Sequence, residues 1–168
     1  MYIPSPENNY SQTQPILTMT KPSENTSAQE EQAVKFFREI KNDLGANSTQ
    51  KIVKLVRAVL SQLRKSLSHE QASLFIKKMP SIFQLLFVTN WRYAEKTNTI
   101  EHLDELVESL YHQDKQSSGA LFSSEVDALN SVIVVLRKLD KFFGIVGLNV
   151  LQYPLAQELR QAAVEDAA

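Results

Sequence analysis

The stretch that decides the fold is KIVKLVRAVLSQLRKSL, residues 51–67. Its large apolar side chains recur every three or four residues, at Ile52, Val56, Val59, Leu60, Leu63 and Leu67. This spacing places them on one face of an α-helix, because a helix completes a turn every 3.6 residues. The stretch therefore predicts a long amphipathic helix whose apolar face belongs to a core.

The helical period continues on both sides of this stretch, and no segment alternates as a strand does. Capping pairs of a Ser or Asn with a Glu or Gln three positions later predict helix starts at Ser27, Asn47, Ser68 and Asn98. Further starts are expected at Pro80 and at Ser123 or Ser124, and a stop at Gly45. The helix after Ser124 should bury Val126, Leu129, Val132, Ile133, Leu136 and Leu139. We therefore predict an all-α protein, a helical bundle of six to eight helices that ends in two short helices broken at Pro154.

The first 26 residues differ in composition from the rest of the chain. They hold four of the six prolines and many small polar residues. Such a segment has too little apolar surface to offset the entropy lost on ordering. We expect residues 1–26 to be a disordered tail and residues 27–168 to be a single helical domain.

The composition excludes several classes of function. The 168 residues include no cysteine, which rules out disulfide scaffolds, cysteine-ligated zinc or iron–sulfur sites and thiol nucleophiles. No segment has the roughly 18 consecutive apolar residues of a membrane span, and the N-terminus does not resemble a signal peptide. A cytoplasmic protein that does not contact membranes is therefore the expectation.

An internal repeat is indicated by the motif Leu-Arg-Lys, which occurs at 63–65 and again at 136–138. Lys65 precedes Pro80 by 15 residues, and Lys138 precedes Pro154 by 16. Apolar positions around both motifs match as well, although such matches are common between amphipathic helices. The pattern predicts two related helical units, roughly 48–91 and 123–165, which bury their apolar faces together.

The first unit also resembles a known family. Arg57-Ala58-Val59-Leu60, Leu63-Arg64, Leu67, Pro80 and Trp91 fall on the pattern of a bacterial all-helical family, the domain of unknown function DUF two-two-six-seven. The chain departs from that pattern at Lys78-Met79, at Phe87 and at its C-terminal end. The resemblance covers roughly residues 36–160. It implies a helical fold without catalytic activity and supplies no specific function.

Charge is unevenly distributed along the chain. Residues 51–80 contain seven basic side chains and one acid, and residues 101–127 contain seven acids and one base. Lys54, Arg57 and Arg64 share one side of the predicted helix, opposite its apolar face, and are expected to form an outward basic stripe. This stripe could be a solvated surface, could meet an acidic protein surface, or could bind phosphates of nucleic acid. One candidate acidic surface is the stripe Glu101, Glu105 and Glu108 of another copy.

Catalytic and metal sites are not indicated. His69-Glu70 begins like a zincin motif, but Ser73 stands where the second histidine would be. Glu108 and His112 lie one turn apart on a single helix, whereas a di-iron site needs Glu-x-x-His on two helices. We predict no catalytic residue, no metal and no cofactor, and therefore not an enzyme.

Two aromatic and apolar segments complete the candidates. Trp91 with Phe87 is expected to be a packing anchor, while Arg92 and Tyr93 could line a cleft between the two units. The uncharged segment 142–148 either fills the core or forms an exposed patch for a homodimer or a partner. The binding candidates are thus Lys54, Arg57, Arg64, Trp91 and Arg92. The predicted function is a protein-interaction or self-associating helical module, with phosphate or nucleic-acid binding through the basic face as the alternative.

Overall fold

The computed structural model describes residues 24–92 and 99–165. Within these ranges the chain forms helices and no strand, so the predicted all-α class is confirmed. The seven helices are α1 (Glu24–Asp43), α2 (Thr49–Ser66), α3 (His69–Lys78), α4 (Ser81–Val88), α5 (Leu103–Ser117), α6 (Glu125–Phe143) and α7 (Tyr153–Glu165). Residues 1–23, to which most of the predicted tail belongs, lie outside the described residues.

Several helix starts agree with the capping analysis. Ser68 and Gln71 form the expected capping box of α3, and Ser124 caps α6 by accepting from the N–H of Asp127. Pro80 is the N-cap of α4, a position whose backbone N–H makes no hydrogen bond within the helix, so the missing N–H of proline costs no helical hydrogen bond. Gly45 follows the end of α1 with φ +56°, a conformation that glycine adopts without strain. Local hydrogen-bonding rules therefore place the starts of α3, α4 and α6 and the end of α1 correctly.

Other helix boundaries differ from the prediction. The first helix begins at Glu24, so Ser27 lies inside it, and the cap of α2 is Ser48, one residue after Asn47. The fifth helix begins after His102, where the Glu105 carboxylate accepts from the N–H groups of Glu101 and His102. The predicted cap Asn98 lies outside the described residues. The predicted pair of short helices broken at Pro154 is wrong, because residues 145–149 form turns and a single helix, α7, begins at Tyr153 and includes Pro154 in its first turn.

The core is one cluster of buried apolar side chains to which all seven helices contribute. Helix α2 occupies its middle and contacts α1, α4, α5 and α6. All six residues predicted for its apolar face are buried. An aromatic group joins α1, α4 and α6: the ring centroid of Phe36 lies 4.7 Å from Phe83 and 5.8 Å from Phe143.

Two expectations about α6 and the following turn are settled by burial. In the segment 142–148, Phe143, Ile145 and Val146 are buried and Phe142 and Leu148 pack against the core, so this segment fills the core. The predicted apolar stripe of α6 is wrong at Val126 and Leu129, which are 75% and 40% exposed, and Ile133 is only half-buried. The buried residues of α6 are Ala128, Ser131, Val132, Val135, Leu136, Leu139 and Phe143.

The two proposed units have a similar order of elements. In each unit a long helix is followed by a short segment and then by a helix that starts at or beside a proline. In the first unit these three parts are α2, α3 and α4. In the second unit the order is α6, the turns at 145–149 and α7. The middle segment is thus a helix in one unit and turns in the other, and the duplication itself stays a prediction. None of the described helices is long and apolar enough to cross a membrane.

Candidate interaction cleft

The basic residues of α2 border a cleft of about 460 Å³ between α2, the C-terminal half of α5 and the turn after α4. Four cationic side chains line it, Lys54, Arg57, Arg64 and Lys65. The opposite wall comes from α5 and the loop that follows it. That wall consists of Leu110, Gln113, Asp114, Ser117, Ser118, Ala120 and Leu121. Three of the five binding candidates named from the sequence therefore meet at one place.

The helical repeat explains why these cations share a side of α2. Lys54 and Arg57 are three residues apart, and both are exposed on the side away from the buried Val56 and Val59. Lys65 is half-buried at the far end of the same cleft. Among residues 24–92 and 99–165, no carboxylate forms an ion pair with Lys54, Arg57 or Lys65. We call this surface, defined by Lys54, Arg57 and Lys65, the basic cleft.

Arg64 does not belong to the outward stripe that the sequence predicts, because it is only 4% exposed. Its guanidinium donates to the backbone carbonyls of Phe87 and, at 3.2 Å, Thr89, which lie at the C-terminal end of α4. The same group lies 5.8 Å from the centroid of the Trp91 ring. The expectation of an exposed Arg64 is wrong because the end of α4 covers this part of α2. Arg64 caps α4 and supports the floor of the cleft.

The other wall of the cleft is fixed by buried polar contacts. The Asp114 side chain, which is 4% exposed, accepts from the N–H groups of Leu121 at 3.1 Å and Phe122 at 3.2 Å. This carboxylate therefore holds the loop after α5. A hydrogen bond of 2.7 Å from Gln62 to Gln113 joins α2 to α5 beside the cleft. These contacts set the distance between the two walls.

Trp91 and Arg92 lie outside the basic cleft. Trp91 is half-buried, with its ring 6.3 Å from Phe87 and against Arg64, which is the packing role expected for it. Arg92 is exposed, and neither residue is among those that line the basic cleft. Tyr93 lies outside the described residues. The cleft expected at Arg92 and Tyr93 stays a prediction.

The three histidines lie on separate surfaces. Nδ1 of His102 lies 2.7 Å from Oε1 of Glu158, and this hydrogen bond raises the pKa of His102. Nε2 of His112 lies 3.5 Å from the Glu108 carboxylate, and the His69 ring lies 6.2 Å from the Trp91 ring. Within the described part of the chain, no group of three or more His, Asp or Glu side chains is placed to hold a metal ion.

A second surface lies between α5 and α6, and of the acidic stripe Glu101, Glu105 and Glu108 named from the sequence only Glu108 lines it. Val126 and Leu129 line a groove of about 400 Å³ together with Val107 and Tyr111. Its remaining lining residues are Asp104, Glu108, His112 and Glu125. We call it the acidic groove. The excess of acids in residues 101–127 predicts a negatively charged surface here. The spacing of Val126 and Leu129 is that of a buried apolar stripe, so the sequence does not predict that these two side chains are exposed.

Comparison with known proteins adds no family. No protein-family model matches the chain, and no curated protein is significantly similar to it. The resemblance to DUF two-two-six-seven therefore depends on the residues quoted for it above, and membership of that family stays a prediction.

Proposed function

We propose that the chain is a non-catalytic protein-interaction module that binds an acidic segment of a partner protein in the basic cleft. The observation that carries this proposal is the convergence of Lys54, Arg57 and Lys65 on one cleft of about 460 Å³ without a carboxylate partner among the described residues. The cytoplasm is the expected compartment for this activity.

The contrast between the two Leu-Arg-Lys motifs supports this proposal. Lys138, at the position in α6 that matches Lys65, lies 2.9 Å from Glu39 and 2.8 Å from Asp43, and is thus paired within the chain. Lys65 instead lines the basic cleft, half-buried and without such a pair among the described residues. A positive charge that has no carboxylate partner among the described residues favours binding from outside, because none of those residues competes with an incoming carboxylate.

The dimensions of the cleft indicate the kind of segment it fits. Lys54 and Lys65 are eleven residues apart on one helix, which corresponds to about 16 Å at 1.5 Å per residue. An extended chain covers that length with about five residues. A short acidic peptide can therefore contact Lys54, Arg57 and Lys65 together, with an apolar contact to the half-buried Leu121 on the opposite wall.

Phosphate or nucleic-acid binding is the competing interpretation of the same cations. Among the described residues, no aromatic side chain lines the cleft to stack on bases. The lining that the structure describes therefore favours a short acidic peptide over a nucleic acid.

The test is binding of fluorescently labelled hexaglutamate to the full chain at low salt. We expect binding that weakens by about tenfold in Lys54→Gln/Arg57→Gln and falls as salt is raised, since screening weakens exposed charge pairs. The matched control is Lys77→Gln/Lys78→Gln, which removes two exposed charges from α3 and should bind like the wild type.

Two results would contradict the proposal. One is equal binding by Lys54→Gln/Arg57→Gln and the wild type, or no binding by either. The other is a DNA duplex that binds more tightly than hexaglutamate and competes with it, which would assign the cleft to phosphates instead.

A further inference from the structure

We propose that the acidic groove is a second docking surface, and that its occupant is the basic cleft of another copy of this chain, so that molecules associate head to tail. This inference rests on the proposed function of the basic cleft and names a partner for it. The two surfaces lie on one molecule, carry opposite charge and are each accessible.

The acidic groove exposes apolar side chains that an isolated molecule would be expected to bury. Val126 is 75% and Leu129 40% exposed, one turn apart on α6, although later positions of the same helix are buried. The buried Val107 and the half-buried Tyr111 of α5 line the other side of the groove. Contiguous apolar side chains with a polar rim are typical of contact sites.

The rim of the groove is negatively charged. Asp104 and Glu108 are one turn apart on α5, and Glu125 begins α6 across from them. Within the described residues, the only ion pair of these carboxylates is that of Glu108 with His112, at 3.5 Å. None of the described residues that line the groove is a lysine or arginine. Its negative charge is therefore not neutralised by a permanent cation at the site.

The basic cleft complements this surface in both charge and apolar contact. Lys54 and Arg57 are also one turn apart, so their spacing resembles that of Asp104 and Glu108. Lysine and arginine stems are aliphatic and cover apolar surface while their charged ends remain at the rim. The stems can thus pack on Val126 and Leu129 while the cations pair with the rim carboxylates.

The positions of the two surfaces exclude pairing within one molecule. The acidic groove uses Asp104, Val107, Glu108 and Tyr111 of α5, whereas the basic cleft uses Leu110, Gln113, Asp114 and Ser117. At 100° per residue these two sets lie about 120° apart around the helix axis. The two surfaces of one molecule therefore cannot pair with each other, and a contact between the unlike surfaces of two copies produces rings or open chains rather than a two-fold dimer.

The test uses sedimentation of the full chain and of two variants at about 0.05 M salt. Lys54→Gln/Arg57→Gln neutralises the basic cleft, and Glu108→Gln/Glu125→Gln neutralises the rim of the acidic groove. We expect the wild type to self-associate, each variant alone to be at least about tenfold weaker, and an equimolar mixture of the two variants to form a dimer and nothing larger. Each variant retains one working surface, so the mixture permits a single contact.

Matched controls separate this contact from a general effect of charge. Lys77→Gln/Lys78→Gln and Glu31→Gln/Glu70→Gln change the net charge equally at exposed positions outside both surfaces. They should self-associate like the wild type, and circular dichroism should show that every variant remains helical. Loss of association in these controls, or a mixture of the two variants that stays monomeric, would overturn the head-to-tail contact.

Hexaglutamate binding distinguishes failure of this inference from failure of the proposed function. Glu108→Gln/Glu125→Gln keeps the basic cleft intact and should bind the peptide like the wild type. A wild type that binds hexaglutamate but remains monomeric would overturn the self-association while leaving the basic cleft as a binding site for other acidic segments. A wild type that does neither would overturn both.

Discussion

At the scale of single residues, Arg64 and Lys65 show how adjacent cations acquire different roles. Arg64 is buried and donates to carbonyls at the end of α4, whereas Lys65 is half-buried and lines the basic cleft. The sequence predicts the angle of each side chain around α2, since that angle follows from the helical period. It does not predict that α4 ends over Arg64, because that contact depends on how helices distant in sequence pack.

Arg64→Met is expected to destabilise the fold by about 2–4 kcal/mol, because the carbonyls of Phe87 and Thr89 lose their donor in a buried place. Urea unfolding measures this loss as a lower midpoint. The control Arg57→Met removes an exposed guanidinium from the same helix and should change stability by less than about 0.5 kcal/mol. Equal midpoints for the two variants would show that Arg64 is not the cap of α4.

At the scale of helices, the sequence predicts which segments are helical better than it predicts which of their side chains stay exposed. The apolar stripe of α2 is fully buried as expected, because that helix is surrounded by four others. The stripe of α6 fails at Val126 and Leu129, since α5 does not cover the first turn of α6. Half of the basic cleft was therefore predictable from spacing, whereas the acidic groove required the packing of α5 against α6.

Ion pairs across helices α1 and α6 show a similar dependence on packing. Glu39 lies 2.9 Å from Lys138 and 2.8 Å from Lys141, and hydrogen bonds from Lys141 and Lys138 lower the pKa of Glu39 to about 2. The carboxylate is therefore more acidic in the folded chain than in the unfolded one. Its contribution to stability is complete above pH 4.5 and is lost as the pH falls from there towards 2.

Glu39→Gln should lower the free energy of unfolding at neutral pH by about 1 kcal/mol, a modest value because solvent screens this partly exposed pair. The difference from the wild type should shrink as the pH is lowered from 5 to below 3, since the wild-type carboxylate becomes protonated there. Urea midpoints at several pH values measure this. The control is Glu31→Gln, at an exposed position of α1. If the difference in the free energy of unfolding between the wild type and Glu39→Gln does not change with pH, the lowered pKa of Glu39 is contradicted.

At the scale of the whole molecule, one aromatic group connects the two proposed units. Phe83 of α4 belongs to the first unit and Phe143 of α6 to the second, and their ring centroids are 4.9 Å apart. Phe36 of α1 contacts both rings and is fully buried. Each unit thus buries apolar surface against the other and against α1. Because neither unit has a separate core, they should unfold together.

This coupling is tested by two probes that report on different parts of the chain. Fluorescence of Trp91, the single tryptophan, follows the end of α4, whereas far-ultraviolet circular dichroism follows all helices. We expect the two urea transitions to coincide. Phe36→Ala should lower the free energy of unfolding by about 3–5 kcal/mol and shift both transitions to a lower midpoint, because it leaves a cavity where α1, α4 and α6 meet. Val34→Ala, at a position that is 64% exposed on α1, should shift neither appreciably. If the fluorescence and circular dichroism transitions separate in the wild type, the two units have independent stability, and the aromatic group does not join them into one cooperative structure.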